Sequence, residues 1–196
     1  MSILINEFCD IININNNVGS IIEFGTGSGV STKIIADRTY NGRTIYTFDG
    51  FQGLPSTSKV IPQGTGWNEG NLFFDKTKTD ELLSAYNNVI ITKVMTTDLN
   101  EPIDYGIDLI IGVNLDLDLY EGTLDGLRFI NKCSWKNIVL RFDDWGCYSH
   151  QVAAEVDEHE KAAFYDWIRE TKYEFVIDDR LLQLSEGRQC IVYVNR

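Results

Sequence analysis

Three groups of residues in this chain have the types and spacing to do chemistry. The first is an acid followed by alternate glycines, Glu23, Gly25, Gly27 and Gly29, within SIIEFGTGSGVST from Ser20 to Thr32. Glycines there let backbone approach a ligand closely, and the unpaired N–H groups of a following helix, capped by Ser31 or Thr32, favour an anionic group. The second is Asp49, about twenty residues beyond the turn, where an acid at a strand end grips ribose through its hydroxyls. The third is Asp116 with Asp143 and Asp144, each following an apolar run. If those runs are neighbouring strands about 4.8 Å apart, three carboxylates converge with no paired Lys or Arg nearby in sequence. A hard divalent cation, Mg²⁺ above all, would offset them through oxygen ligands. The plainer reading makes the glycines an ordinary loop and the aspartates helix caps, and for Asp118 the cap is preferred.

Glycine spacing narrows the first ligand. A dinucleotide fingerprint is G-x-G-x-x-G, whereas here the third glycine comes one residue early and Glu23 stands two before the first. A carboxylate there repels pyrophosphate and welcomes an ammonium. E-x-G-x-G-x-G resembles motif I of class I S-adenosylmethionine-dependent methyltransferases, whose glycine turn receives the amino-acid portion of the cofactor. The cofactor contacts expected on this reading are Glu23, Gly25, Thr26, Gly27, Gly29, Ser31, Asp49, Gly50 and Phe51. Thr96, Thr97 and Asp98, after a third apolar run, are where the adenine amine would find an acceptor, with Thr97 and Asp98 taken as the contacts.

These groups need a scaffold that brings them to one edge. The spacing predicts a helix over 3–14, then strands at 20–24, 44–48, 89–94, 107–115 and 137–142. Helices are expected over 32–38 and 78–86, the latter with Leu82, Leu83 and Tyr86 inward. Another is expected from Thr123, and a long one from about Gln151 to Thr171. Two closing strands, Tyr173 to Ile177 and Gln189 to Val194, flank a polar connection and can pair antiparallel. Strands alternating with helices imply an α/β fold, a three-layer Rossmann-like sheet, mostly parallel with an antiparallel C-terminal edge pair. Ligands of such sheets sit beyond the C-terminal strand ends, where Glu23, Asp49, Thr97, Asp116 and Asp143 all fall. Gly50 to Gly70, rich in Gly, Pro, Ser and Thr, reads as a mobile cover over the substrate.

At 196 residues the chain fits one domain, 1–196, with 43% hydrophobic residues and no apolar run long enough to span a bilayer. A cytoplasmic protein without a membrane partner is expected. Cys9, Cys133, Cys147 and Cys190 are scattered, which favours reduced core thiols over disulfides or a zinc site. A net charge of −12, with 17 basic residues that form no run, disfavours nucleic acid. The expected partner is a small hydroxylated molecule, and a homodimer is left open.

FDGFQGLP at Phe48 to Pro55, LDLDLYEGT at Leu115 to Thr123 and RFDDW at Arg141 to Trp145 resemble three motifs of the macrocin O-methyltransferase family, metal-dependent enzymes that methylate sugar hydroxyls of antibiotics. The resemblance runs from about Gly19 to Trp145. It implies Mg²⁺ held by Asp116, Asp143 and Asp144, coordinating and activating an acceptor hydroxyl for methyl transfer. Asp116 is the first candidate to take the proton and His150 the second. His159, like His150, reads as an exposed residue on the long helix or its entry. Asn114 stands where the family has a basic residue. The alternatives are a metal-independent N- or C-methyltransferase, a nucleotide-dependent oxidoreductase, and a binding module without turnover.

Overall fold

A computed structural model describes residues 3–14, 18–39, 42–61, 65–146 and 159–196. In chain order the elements are α1 (Ile3–Ile14), β1 (Ser20–Phe24), α2 (Val30–Arg38), β2 (Ile45–Asp49), α3 (Lys76–Leu83), β3 (Val89–Lys93), β4 (Ile110–Leu115), α4 (Tyr120–Ile130), β5 (Asn137–Phe142), α5 (Glu160–Thr171), β6 (Glu174–Ile177), α6 (Asp179–Leu184) and β7 (Cys190–Asn195). The strands form one sheet in the order β3-β2-β1-β4-β5-β7-β6. β1 to β5 run parallel, and β7 lies antiparallel between β5 and β6. The strand order reverses between β1 and β4, which places a crevice at their C-terminal ends.

Both sheet faces are covered, as the nearly continuous apolar runs of the central strands require. On one face Leu4, Phe8 and Ile12 of α1, Ile35 of α2 and Leu181 of α6 pack on Ile21, Ile45, Val139 and Ile191. On the other, Leu124, Leu127 and Ile130 of α4 and Phe164 and Trp167 of α5 pack on Ile22, Phe24, Phe48 and Phe142. Gly112 lets α1 sit close, since a β-carbon there would lie 2.4 Å from Ile12 Cδ1. Cys9, Cys133 and Cys190 are buried free thiols whose pKa burial pushes up to about 12, so they pack as small apolar groups. Among the described residues no helix is long and apolar enough to cross a membrane.

Several boundaries differ from the sequence expectation. α4 starts at Tyr120 rather than Thr123, whose hydroxyl donates back to the Leu119 carbonyl at 2.8 Å instead of capping. The polar connection before β7 contains α6, capped by Asp178 Oδ1 accepting from Leu181 N–H at 3.0 Å. In α3 Leu83 is buried, but Leu82 is 38% exposed and faces out. α5 starts at Glu160, and the expected stretch 151–158 of that helix lies outside the described residues.

Candidate active site

β1 ends in a turn whose glycines carry positive φ: Gly25 at 87°, Gly27 at 51° and Gly29 at 81°. Gly25 is the tightest point, because a β-carbon there would fall 1.8 Å from the carbonyl oxygen of Asp116. The turn is held by the strand beside it. Gly25 N–H donates to the Phe48 carbonyl at 2.9 Å, and Gly27 N–H donates to Asp49 Oδ2 at 2.8 Å. The other oxygen, Asp49 Oδ1, accepts from Phe51 N–H at 2.6 Å. One carboxylate therefore braces both the glycine turn and the segment after β2.

Gly29, not Ser31 or Thr32, occupies the N-cap of α2, and it offers no side-chain cap. Ser31 instead faces the cleft beside the turn. Thr32 points inward and donates to Glu23 Oε2. Glu23 is fully buried and also accepts from Thr47 Oγ1 at 3.0 Å and Asn114 Nδ2 at 2.9 Å. Burial raises its pKa, and the hydrogen bonds of Thr32, Ser31, Thr47 and Asn114 offset part of that rise. The expected direct contact of Glu23 with an ammonium is corrected: its carboxylate lies beneath the turn, satisfied by protein donors, and does not face the cleft.

The cleft measures about 400 Å³ and joins the glycine turn to the acids of β4 and β5. Gly25, Thr26, Gly27, Ser31, Asp49 and Gly50 line it as expected positions do. Phe51 does not; it is buried at φ 50°, with the Lys76 ammonium 5.8 Å from its ring centre. After β3 the lining residues are Val94, Met95 and Thr96. Of the expected adenine acceptors Thr96 lines the cleft, while Thr97 and Asp98, the rest of a 3-10 turn over Thr96–Asp98, do not. Of the segment read as a cover, Gly53, Leu54 and Pro55 line the cleft, and residues 62–64 lie outside the described set.

At the other end, the register Leu115↔Phe142 sets Asp116 beside Asp143. Asp143 N–H donates to the Leu115 carbonyl at 3.0 Å, extending the ladder past the strand ends. Carboxylate oxygens of Asp116, Asp143 and Asp144 all lie within 4.8 Å of one another. Burial, then the charges of Asp143 and Asp144, drives the pKa of Asp116 well above the usual carboxylate range. Burial and the charges of Asp118 and Asp143 do the same to Asp144.

Three features of this end depart from the sequence reading. The cluster does have a basic partner: Arg141, 1% exposed, donates from Nη2 to Asp143 Oδ1, which also accepts from Gln189 Nε2 at 2.6 Å. Residues 141 and 143 are two apart along one extended stretch and so share a face, a signal the sequence carried. Asp118 caps nothing. It sits at φ 59° and faces the cleft, with burial first and then the Asp116 charge pushing its pKa up to about 7. Its spacing of two from Asp116 was the available clue. Glu160 left no local signal, yet its buried carboxylate accepts from Leu117 N–H at 3.1 Å and Asp144 N–H at 3.0 Å. Burial and then the Asp144 charge raise it well above its ordinary pKa.

His150 lies outside the described residues. His159, expected at the surface, is buried: its Nε2 is 3.1 Å from the Val60 carbonyl and its ring packs edge-on against Trp67, 5.1 Å between centres.

No family model matches the chain, and no curated protein does. Solved structures do. The O-methyltransferase NovP aligns over 98% of this chain and 77% of its own, with TM-score 0.67 and 20% identity. The calicheamicin methyltransferase CalS11 aligns over 97% and 77%, with TM-score 0.68 and 19% identity. An O-methyltransferase from Bacillus cereus, in complex with SAH, aligns over 100% and 82%, with TM-score 0.65 and 14% identity. The likeness is one of architecture: this chain has the Rossmann-like fold of those methyltransferases, as the strand pattern led one to expect.

Proposed function

We propose that this protein is an S-adenosylmethionine-dependent O-methyltransferase for a small hydroxylated acceptor, a sugar or glycoside, with Mg²⁺ held by Asp116, Asp143 and Asp144. The observation that carries the reading is that one cleft is lined at one end by the glycine turn and Asp49 and at the other by the three aspartates. The residues present fit both groups. Gly25 and Gly27 keep the turn free of β-carbons, so backbone can lie against the amino-acid portion of a cofactor. The aspartates offer only oxygen donors, mutually repelling, which is the donor set a hard cation takes. The shared architecture of NovP, CalS11 and the Bacillus cereus enzyme supports the class.

When bound, the cofactor supplies an electrophilic methyl group and the cation lowers the pKa of an acceptor hydroxyl. The chain's own part is placement. The turn and Asp49 fix one reactant, and the acid cluster fixes the other in the same cleft, which converts an encounter into an oriented contact. Asp116, nearest the turn through its backbone contact with Gly25, is placed to take the hydroxyl proton at its carboxylate. The segment 50–70 serves as a cover over the acceptor.

The test is Asp116→Asn with S-adenosylhomocysteine calorimetry and a panel of hydroxylated acceptors. Turnover should vanish while cofactor-product affinity stays within about twofold, since the turn is untouched. Full activity of this variant in chelator would sink the cation. One observation favours a second reading, a methyltransferase without metal: the Arg141 guanidinium already offsets part of the cluster's charge. Wild-type turnover that survives exhaustive chelation would select it.

A further inference from the structure

A row of polar side chains crosses the core below the cleft, and neither the turn nor the cation cluster accounts for it. In register across four strands stand Thr47 of β2, Glu23 of β1, Asn114 of β4 and Arg141 of β5. All four are buried, the most accessible being Arg141 at 1%. The neighbouring row on the same face is apolar or glycine: Ile45, Ile21, Gly112 and Val139. Burying a carboxylate and a guanidinium is costly until their attraction repays it, and well-packed apolar side chains would serve stability as well or better. Stability alone does not call for this row.

Its connections do. Asn114 Nδ2 donates to Glu23 Oε1 at 2.9 Å, and Asn114 Oδ1 accepts from Arg141 Nη1. An amide between a carboxylate and a guanidinium can point only one way, with its NH₂ to the acid and its oxygen to the base. The planar guanidinium then directs its other arm to Asp143 Oδ1. Gln189 Nε2 donates to that same oxygen. With Oδ1 taken by two donors, Asp143 is fixed in rotation and has Oδ2 to offer the cluster. At the opposite end Glu23 is held by Thr32 of α2, and Thr47 bonds Thr26 of the glycine turn at 2.5 Å.

We propose that Arg141 is a positioning residue that presents Asp143 to the cation, and that Asn114 is the joint tying it to the glycine turn. The proposal rests on the reading of Asp116, Asp143 and Asp144 as a cation site. It assigns to Asn114 and Arg141 a role in the separation and aim of the two reactants rather than in the chemistry itself.

The experiment is calorimetry of the full chain with Mn²⁺ and, separately, with S-adenosylhomocysteine, on wild type, Arg141→Lys, Gln189→Leu and Asn114→Ala. Lysine keeps the charge but cannot bridge Asn114 and Asp143. Arg141→Lys should weaken Mn²⁺ by about tenfold or more, as losing a hydrogen-bonded supporter of a metal ligand does, with S-adenosylhomocysteine within about twofold. Gln189→Leu removes only one of two donors and should weaken Mn²⁺ about threefold. Asn114→Ala should weaken both ligands. Folded Arg141→Lys with wild-type Mn²⁺ affinity overturns the proposal; should that variant fail to fold, unchanged Mn²⁺ affinity in Gln189→Leu overturns it. Wild type that binds S-adenosylhomocysteine but no Mn²⁺ overturns the cation site and this proposal with it, a result distinct from the preceding two.

Discussion

The two ends of the cleft solve the problem of buried charge in opposite ways. At the glycine-turn end each carboxylate is surrounded by donors: Glu23 accepts from Thr32, Thr47 and Asn114, and Asp49 from two backbone N–H groups. At the acid end burial first, and then the charges of neighbouring carboxylates, raise the pKa of Asp116, Asp118, Asp144 and Glu160, and of the three expected cation ligands it is Asp143 that Arg141 hydrogen-bonds. The first end is settled by the protein's own hydrogen bonds. The second keeps a surplus of negative charge that suits a cation. A chain with one kind of residue, the carboxylate, thus builds a rigid cradle or a reactive cluster according to what surrounds it.

The sharpest way to break the settled end is Gly25→Ala. A β-carbon 1.8 Å from the Asp116 carbonyl, at φ 87°, forces β1 and β4 apart at their exits. S-adenosylhomocysteine affinity should fall about 1,000-fold, or about 4 kcal/mol, by calorimetry. Near-normal affinity would mean that the turn is not where the ligand sits.

Next in size is Trp67→Ala, in the segment proposed as a cover. Trp67 is 1% exposed and packs with Leu119, Leu54 and Ile61. The loss should be about 3 kcal/mol, read as earlier thermal unfolding and faster proteolytic nicking within 50–70. An unchanged nicking rate would show that this side chain does not anchor the segment.

The acid end also sets a pH dependence. Asp116, Asp118, Asp144 and Glu160 have folded pKa values raised above the unfolded ones, so the native state holds more protons between about pH 4 and the raised values, and stability falls as pH rises through that window. Asp118, at about 7, places the window in an accessible range. In chelator, Tm should drop by roughly 5 °C from pH 5 to pH 8, equivalent to about 2 kcal/mol, and Mg²⁺ should restore it at pH 8. A Tm that climbs over that interval in chelator would refute the account.

The smallest effect sharpens the contrast from outside the cluster. Glu121 is pushed up by burial, but its hydrogen bonds from Ser58 and Thr57 outweigh this and hold its pKa at about 2. Being lowered, it contributes stability above the unfolded carboxyl pKa and loses it only as pH falls towards 2. Glu121→Gln should cost about 1 kcal/mol at pH 7 and nothing at pH 2, by denaturant titration.

Much of this was legible beforehand, for identifiable reasons. Buried parallel strands announce themselves as apolar runs, and each ends on its own acid or glycine, so the sheet edge that gathers Gly25, Asp49, Asp116 and Asp143 could be drawn from Ile21 to Phe142 alone. What stayed hidden depends on partners chosen in three dimensions. Glu23 and Asp116 are both acids after apolar residues, yet register sets one beside Asn114 and the other beside Asp143. Asp118 read as a cap because its left-handed backbone is invisible in sequence, and Glu160 lies 44 positions beyond Asp116 with no spacing to connect them.

Glu160 has a kinetic consequence as well. Standing at the head of α5, it clasps the amides of Leu117 and Asp144, which belong to loops following different strands. Two loops tied to one residue cannot loosen independently, so they and the start of the helix form one breathing unit. Hydrogen exchange at those two amides should therefore share a single rate, where untethered loops would show two.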